Sequence, residues 1–286
     1  MEREALLAIV ASALFGIAVW FLALPVSRIW RQAREPEPEP LAWWRLVFPL
    51  FAGFVVLAFL LGWAFQAPDP ADKRAGIAFH LLAVFTLVTV MRAIVRSLSA
   101  LRSDACARFS VGTIGLLTPR IVVSEEFRRM APATVLLAAL GHEAAHARGR
   151  DPMRIWLAQL AADLQWPIPG TGRRLSAWLL ALEVQRDDEA VANGASPEDL
   201  AEAILTAARL HCAPTTRLQA RATGSGEGIA WRVRRLLSLE AHRGSTFSPR
   251  GVRGIRIICF VLVVGAVWLG LAYGDAALGA LPGMGQ

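Results

Sequence analysis

Four apolar runs limit what this chain can fold into: Ala5 to Val26, Leu46 to Phe65, Ala75 to Val95 and Ile257 to Tyr273. Each approaches the roughly 20 residues that a helix needs to cross a bilayer. Hydrophobic residues make up 55% of the chain and charged residues 19%, and a mean hydropathy of +0.44 is high for an ordinary globule that shows polar surface to water. The charges cluster between the runs, as they do in loops that join spans. Trp20, Trp30, Trp43, Trp44, Trp63 and Trp268 sit near run ends, where an interfacial aromatic belt would place them. The first run has no ionisable residue and no evident small-residue cleavage site, which favours a span over a signal peptide. The third is interrupted by His80 and Arg92. The pattern predicts a mostly α membrane protein with four transmembrane helices.

Basic residues near span ends stay on the cytoplasmic side. Arg28, Arg31, Arg34 and Arg45 fall in the first connection, Arg92, Arg96, Arg102 and Arg108 at and after the third run, and Arg250, Arg253 and Arg256 before the fourth. The opposite face receives only Arg3, Lys73 and Arg74. The expectation is a multi-pass protein of a bacterial plasma (inner) membrane. Residues 1–96 form a three-helix transmembrane region, 97–254 a cytoplasmic domain, and 255–286 the fourth transmembrane helix and a short tail. Much of the net charge of +7 resides in these flanking arginines, so the lipid bilayer is the expected partner and no direct nucleic-acid binding is expected. Cys106, Cys212 and Cys259 are odd in number and have no paired spacing, which argues against a disulfide framework and a cysteine-type zinc site.

Between the first two runs, "EPEPEP" (35–40) reads as an extended spacer. In the middle region, "RFSVG" and "RIVVS" read as two strands separated by turn residues Gly112, Gly115 and Pro119. A helix is predicted from Pro132 to about Arg148, another from Arg173 to Asn193, and a third opening at Ser196 with an acidic first turn. "IWLAQLAADLQW" (155–166) is too short to span and reads as a buried or membrane-surface helix, and "ATGSGEG" (222–228) as a flexible loop.

The chemistry lies in "LGHEAAHARGRD" (140–151). Positions i and i+4 of a helix share a face, so His142 and His146 can offer ring nitrogens to one ion. Glu143, about 100° further round, flanks that ion and can take a proton from an attacking water whose acidity zinc has raised. A catalytic zinc site also needs a third protein ligand. In "LEVQRDDEAV", Glu183 can ligate and Asp187, four residues on, can orient a ligating histidine; Glu189 competes for the ligand role. His211 and His242 are weaker candidates as donors to a transition-state oxyanion, and Tyr273, the sole tyrosine, lies too far along the chain for that task.

These motifs resemble the BlaR/MecR-type membrane metallopeptidases, which are gluzincins. The matching pieces are "GLLTPRIVVS", "LLAALGHEAAHARGRD", "LQWP", "EVQRDDEAVANGASPEDLAEAIL" and "WRVRRLL", covering about residues 108–240. The resemblance implies an α+β zincin-like domain between a third and a fourth span and one zinc(II) per chain on His142, His146 and Glu183. It also implies Glu143 as general base, Asp187 as support, and "RIVVS" as the edge strand to which an extended peptide adds. The family usually has Cys-Asp before the "AV" pair where this chain has Asp187-Asp188-Glu189, and its extracellular sensor is not expected here. The expected activity is endopeptidase cleavage of a protein substrate, such as a transcriptional repressor, in regulatory proteolysis. The alternatives are an HtpX-like quality-control protease and a non-catalytic signalling scaffold with a structural zinc.

Overall fold

The computed structural model describes residues 37–66, 77–106, 110–166, 170–210, 226–238 and 260–272. Glu39–Gln66 forms α1 and Ile77–Cys106 forms α2. Helix α1 starts inside the proline-rich stretch, because the Pro38 carbonyl accepts bonds from the Leu41 and Ala42 amides. The end of "EPEPEP" is therefore anchored: Glu37 and Glu39 are buried, and Glu37 accepts a 2.6 Å bond from Arg45.

Strands β1 (Val111–Ile114) and β2 (Arg120–Val123) pair antiparallel, with Val111 opposite Val123 and Ile114 opposite Arg120. Strand β1 thus begins later than "RFSVG" suggested and contains Gly112. The turn falls at Gly115, whose φ of +97° and 2.5 Å clearance between an added Cβ and the Thr118 oxygen require glycine. Ser124 caps α3 (Glu125–Met130), accepting the Phe127 amide at 3.1 Å. Helix α4 is Ala133–Arg148, with Pro132 at its start and Gly149 at its end, as the sequence predicts. Helix α5 (Asp151–Leu164) follows after Arg150, which is left-handed at φ 51°.

Helix α6 is Thr171–Ala192 and α7 is Pro197–Leu210; Ser196 caps α7 by accepting the Asp199 amide at 3.3 Å. Helix α8 (Gly226–Leu237) takes the end of the Gly-rich loop into its first turn, and residues 260–272 form α9.

Three apolar clusters join these elements. Ala42 and Leu46 of α1 pack with Ala158 of α5 and with Leu175, Trp178, Leu179, Ala181 and Leu182 of α6. Ala138 of α4, Ala190 of α6, Leu200 and Ala201 of α7 and Leu236 of α8 form the second. Phe127, Val135, Ala139 and Ala203 bring α3, α4 and α7 together beneath the hairpin. Fully burying side chains such as Trp178, Leu175 or Phe127 contributes about 1.5–3 kcal/mol each.

Among the described residues no helix is long and apolar enough to cross a membrane. That finding overturns the expected four transmembrane helices and the multi-pass inner-membrane localisation, with its cytoplasmic placement, that rested on them. Part of one run has another use, whereas side chains such as Leu81, Val84, Leu87 and Val261 in two others are exposed. The early part of Leu46 to Phe65 serves helix–helix packing, since Leu46 is fully buried and its carbonyl accepts Gln165 Nε2 at 2.7 Å. Helix α2 is drawn to α5 through its own charges: Arg96 donates to Asp163 at 2.5 Å and Arg92 to the Asp163 carbonyl at 3.2 Å. The run Ala5 to Val26 lies outside the described residues. Counting apolar residues cannot separate a face turned to lipid from one turned to another helix.

Candidate metal centre

The buried stripe of α4 runs through Val135, Ala138, Ala139, His142, Ala145 and His146. This is the i, i+3, i+4, i+7 spacing of a core-facing helix, and the two histidines hold places that smaller apolar residues hold one and two turns earlier. The alanines keep the stripe shallow, so α6 and α7 come close.

From α6, Glu183 reaches the same point. Its Oε2 lies 3.5 Å from His142 Nε2 and its Oε1 3.7 Å from His146 Nε2. The two Nε2 atoms are 3.0 Å apart. One ligand atom from each of His142, His146 and Glu183 lies within 4.8 Å of the others, so the group could hold a metal ion. Glu189 is placed elsewhere: it accepts from Arg148 at 2.8 Å and from Arg186 at 2.6 Å. Glu143 sits beside the group, and its Oε2 accepts the Thr113 hydroxyl of β1 at 2.7 Å.

An outer layer fixes both rings. Asp151 Oδ2 lies 2.8 Å from His146 Nδ1, and the Asp151 carboxylate also receives Arg186 at 2.6 and 2.9 Å and Arg154 at 3.0 Å. Arg154 continues to Glu39, which also accepts the Trp178 indole N–H at 2.7 Å. Gly149 leaves room for this layer, since a Cβ there would overlap the Arg186 guanidinium. On the other side, Asp187 Oδ1 lies 3.0 Å from His142 Nδ1. That pair is close in charge but not aligned for a hydrogen bond, since His142 Nδ1 has no directed partner. A carboxylate behind each ring leaves Nε2 of each turned to the centre, the arrangement that second-layer partners give metal-binding histidines.

The charges around the centre do not balance without a cation. Glu143, Asp151, Glu183 and Asp187 carry four negative charges against two from Arg186 and Arg232, while Arg154 and Arg148 are matched by Glu39 and Glu189. The excess is the charge of one divalent ion or of two imidazolium protons. Burial opposes a charge on His146, but the Glu183 carboxylate and the bond to Asp151 outweigh it and raise its pKa to about 10. His142 is raised too: burial again opposes, and Asp187 and Glu183 prevail. Burial would raise Glu183 and Asp187, yet Arg232 first and the histidines next hold both below the ordinary carboxylate range, Glu183 well below it.

A pH dependence follows for metal-stripped protein. A histidine whose folded pKa exceeds its unfolded value of about 6.5 stabilises fully below that value. The contribution is lost as pH rises through about 10 for His146. Chelator-treated protein should therefore lose on the order of a few kcal/mol between pH 6.5 and 10, and a divalent ion such as zinc, if the group holds it, should remove most of that slope by replacing the protons. Thermal unfolding with chelator and with zinc at several pH values checks this; parallel slopes would show that the protons and the ion do not share the site.

The sequence motifs give no role to Thr113, Arg186 or Arg232, and Asp151 enters them only as the last residue of the matched "LLAALGHEAAHARGRD". Arg232 carried a readable signal, because Ile229, Arg232, Val233 and Leu236 make an apolar stripe with one arginine in it. A charge on such a stripe implies a buried partner. His211, His242 and Tyr273 lie outside the described residues. Comparison with family models, with curated proteins and with solved structures found no match to the chain.

Proposed function

We propose that this protein is a zinc-dependent endopeptidase of the gluzincin kind, with His142, His146 and Glu183 as metal ligands and Glu143 as general base. The observation that carries the reading is the juxtaposition of the three-ligand group with a buried glutamate outside it. Two imidazoles and one carboxylate are a donor set that suits catalytic zinc and leaves a coordination position open. Bound zinc supplies Lewis acidity toward a substrate carbonyl and toward the attacking water.

The chain's own residues do the rest. Thr113 holds one oxygen of Glu143 from β1, which fixes where the carboxylate meets a water proton. Glu143 takes that proton and hands it to the leaving amine of the peptide. Asp151 bonds the His146 ring, and the Asp187 carboxylate faces His142 Nδ1 at 3.0 Å. Strand β2 pairs with β1 alone among the described residues and exposes Arg120, Ile121 and Val122, so an extended peptide can add at its open edge. This supports a protein or peptide substrate, a transcriptional repressor among the possible kinds.

The test is elemental analysis joined to an unstructured-peptide cleavage assay. One zinc per chain is expected, with cleavage lost on chelation and restored by zinc. Stoichiometric zinc without cleavage of any peptide offered would sink the endopeptidase reading and leave a structural metal.

A further inference from the structure

Arg232 enters the centre from α8, beside the apolar Val233 and Leu236 that pack inward, and it is buried. Its Nε and Nη2 bond both oxygens of Asp187 at 2.8 and 2.7 Å, and its Nη1 lies 2.9 Å from Glu183 Oε2. Asp187 Oδ1 is the oxygen that also faces His142 Nδ1; Glu183 Oε1 faces His146, while its Oε2 lies nearer to Arg232 than to His142 Nε2 at 3.5 Å. We propose that Arg232 is a positioning residue of the metal centre. Its planar fork sets Asp187 against His142 and takes one oxygen of Glu183, so that Glu183 offers the ion the other oxygen alone.

The proposal rests on the reading of His142, His146 and Glu183 as metal ligands. It has a geometric reason to require arginine. A lysine ammonium is a point charge and cannot hold two oxygens of one carboxylate and one of another in a plane. With Glu183 Oε2 engaged by Arg232, the carboxylate would offer a bound ion a single donor, as a catalytic site with an open position requires.

The same two helices carry an internal control. Arg235 bonds both oxygens of Asp188 at 2.6 and 3.0 Å, again from α8 to α6, but Asp188 takes no part in the metal group. If Arg232 only fastened α8 to α6, losing either fork would have similar consequences. If it positions ligands, only Arg232 matters to the ion.

The experiment compares the full-length protein with Arg232→Lys and Arg235→Lys, measuring zinc affinity by chelator competition and the visible spectrum of the cobalt(II)-substituted protein. Arg232→Lys should lose about 10–100-fold in zinc affinity, the range for an outer partner of a metal ligand. Its cobalt spectrum should shift toward weaker absorption as Glu183 becomes free to chelate through both oxygens, while Arg235→Lys keeps wild-type affinity and spectrum. Should Arg232→Lys fail to fold, Arg232→Met/Asp187→Asn, which removes the charge from both partners, is measured in the same way with the same expectation. Equal losses in the two lysine variants, or none in either, would overturn the role of Arg232 while the metal site stands. A wild-type protein that binds neither zinc nor cobalt would overturn the site itself, and the proposal with it.

Discussion

Glu143→Gln should lower the peptide cleavage rate by about 10²–10⁴-fold, the contribution of a positioned general base, with zinc still bound at one ion per chain. The substitution is close to isosteric, and the Thr113 hydroxyl that donates to Glu143 Oε2 at 2.7 Å can donate equally to an amide oxygen. The packing of β1 on α4 therefore persists. His142, His146 and Glu183 keep their outer partners, because none of Asp151, Asp187 and Arg232 bonds the Glu143 side chain. What disappears is the group able to accept a proton. The measurement is single-turnover cleavage beside zinc content and a thermal melt, so that a rate loss with intact metal and unchanged melting isolates the chemistry. Cleavage at the wild-type rate would remove Glu143 from the role of base.

The centre was more legible in the sequence than the frame around it. The spacing of His142 and His146 fixes two ring nitrogens on one face of any helix, so the helix rules alone bring them together. Glu183 was open to competition from Glu189 because both lie within "EVQRDDE" and helical phase alone does not say which face of α6 turns inward. Tertiary contacts decide it, through Arg148 and Arg186 drawing Glu189 aside. Helix boundaries set by Pro132, Gly149 and Ser196 were readable because capping is local chemistry. The expected spans failed for the opposite reason: whether Leu46 meets lipid or Trp178 is a property of the partner and not of the run. Thr113, Arg186 and Arg232 escaped because each acts across 30 or more residues of chain, and even the apolar stripe that marks Arg232 does not name its partners Asp187 and Glu183.

Glu183→Ala should abolish stoichiometric zinc binding, whereas Glu189→Ala should keep it. Glu183 supplies the only carboxylate of the metal group, and two imidazoles alone make an incomplete site. The affinity loss should exceed the roughly 10–100-fold that follows removal of an outer partner. Loss of Glu183 also releases Arg232 Nη1, but the bidentate bond from Arg232 to Asp187 remains, so α8 stays seated on α6. Glu189 is partly exposed and joins Arg148 and Arg186 outside the three-residue group. Truncating it removes an ion pair of about 0–1 kcal/mol and leaves Arg186 still bound to Asp151 behind His146. The two variants separate in one thermal-shift series. Zinc at about 1,000 times its dissociation constant stabilises by about 4 kcal/mol, a shift that wild type and Glu189→Ala should share and Glu183→Ala should lack. The reverse pattern would move the third ligand to Glu189 and require α6 to turn by roughly a third of its circumference, because six residues along a helix of 3.6 per turn set the two carboxylates about 120° apart.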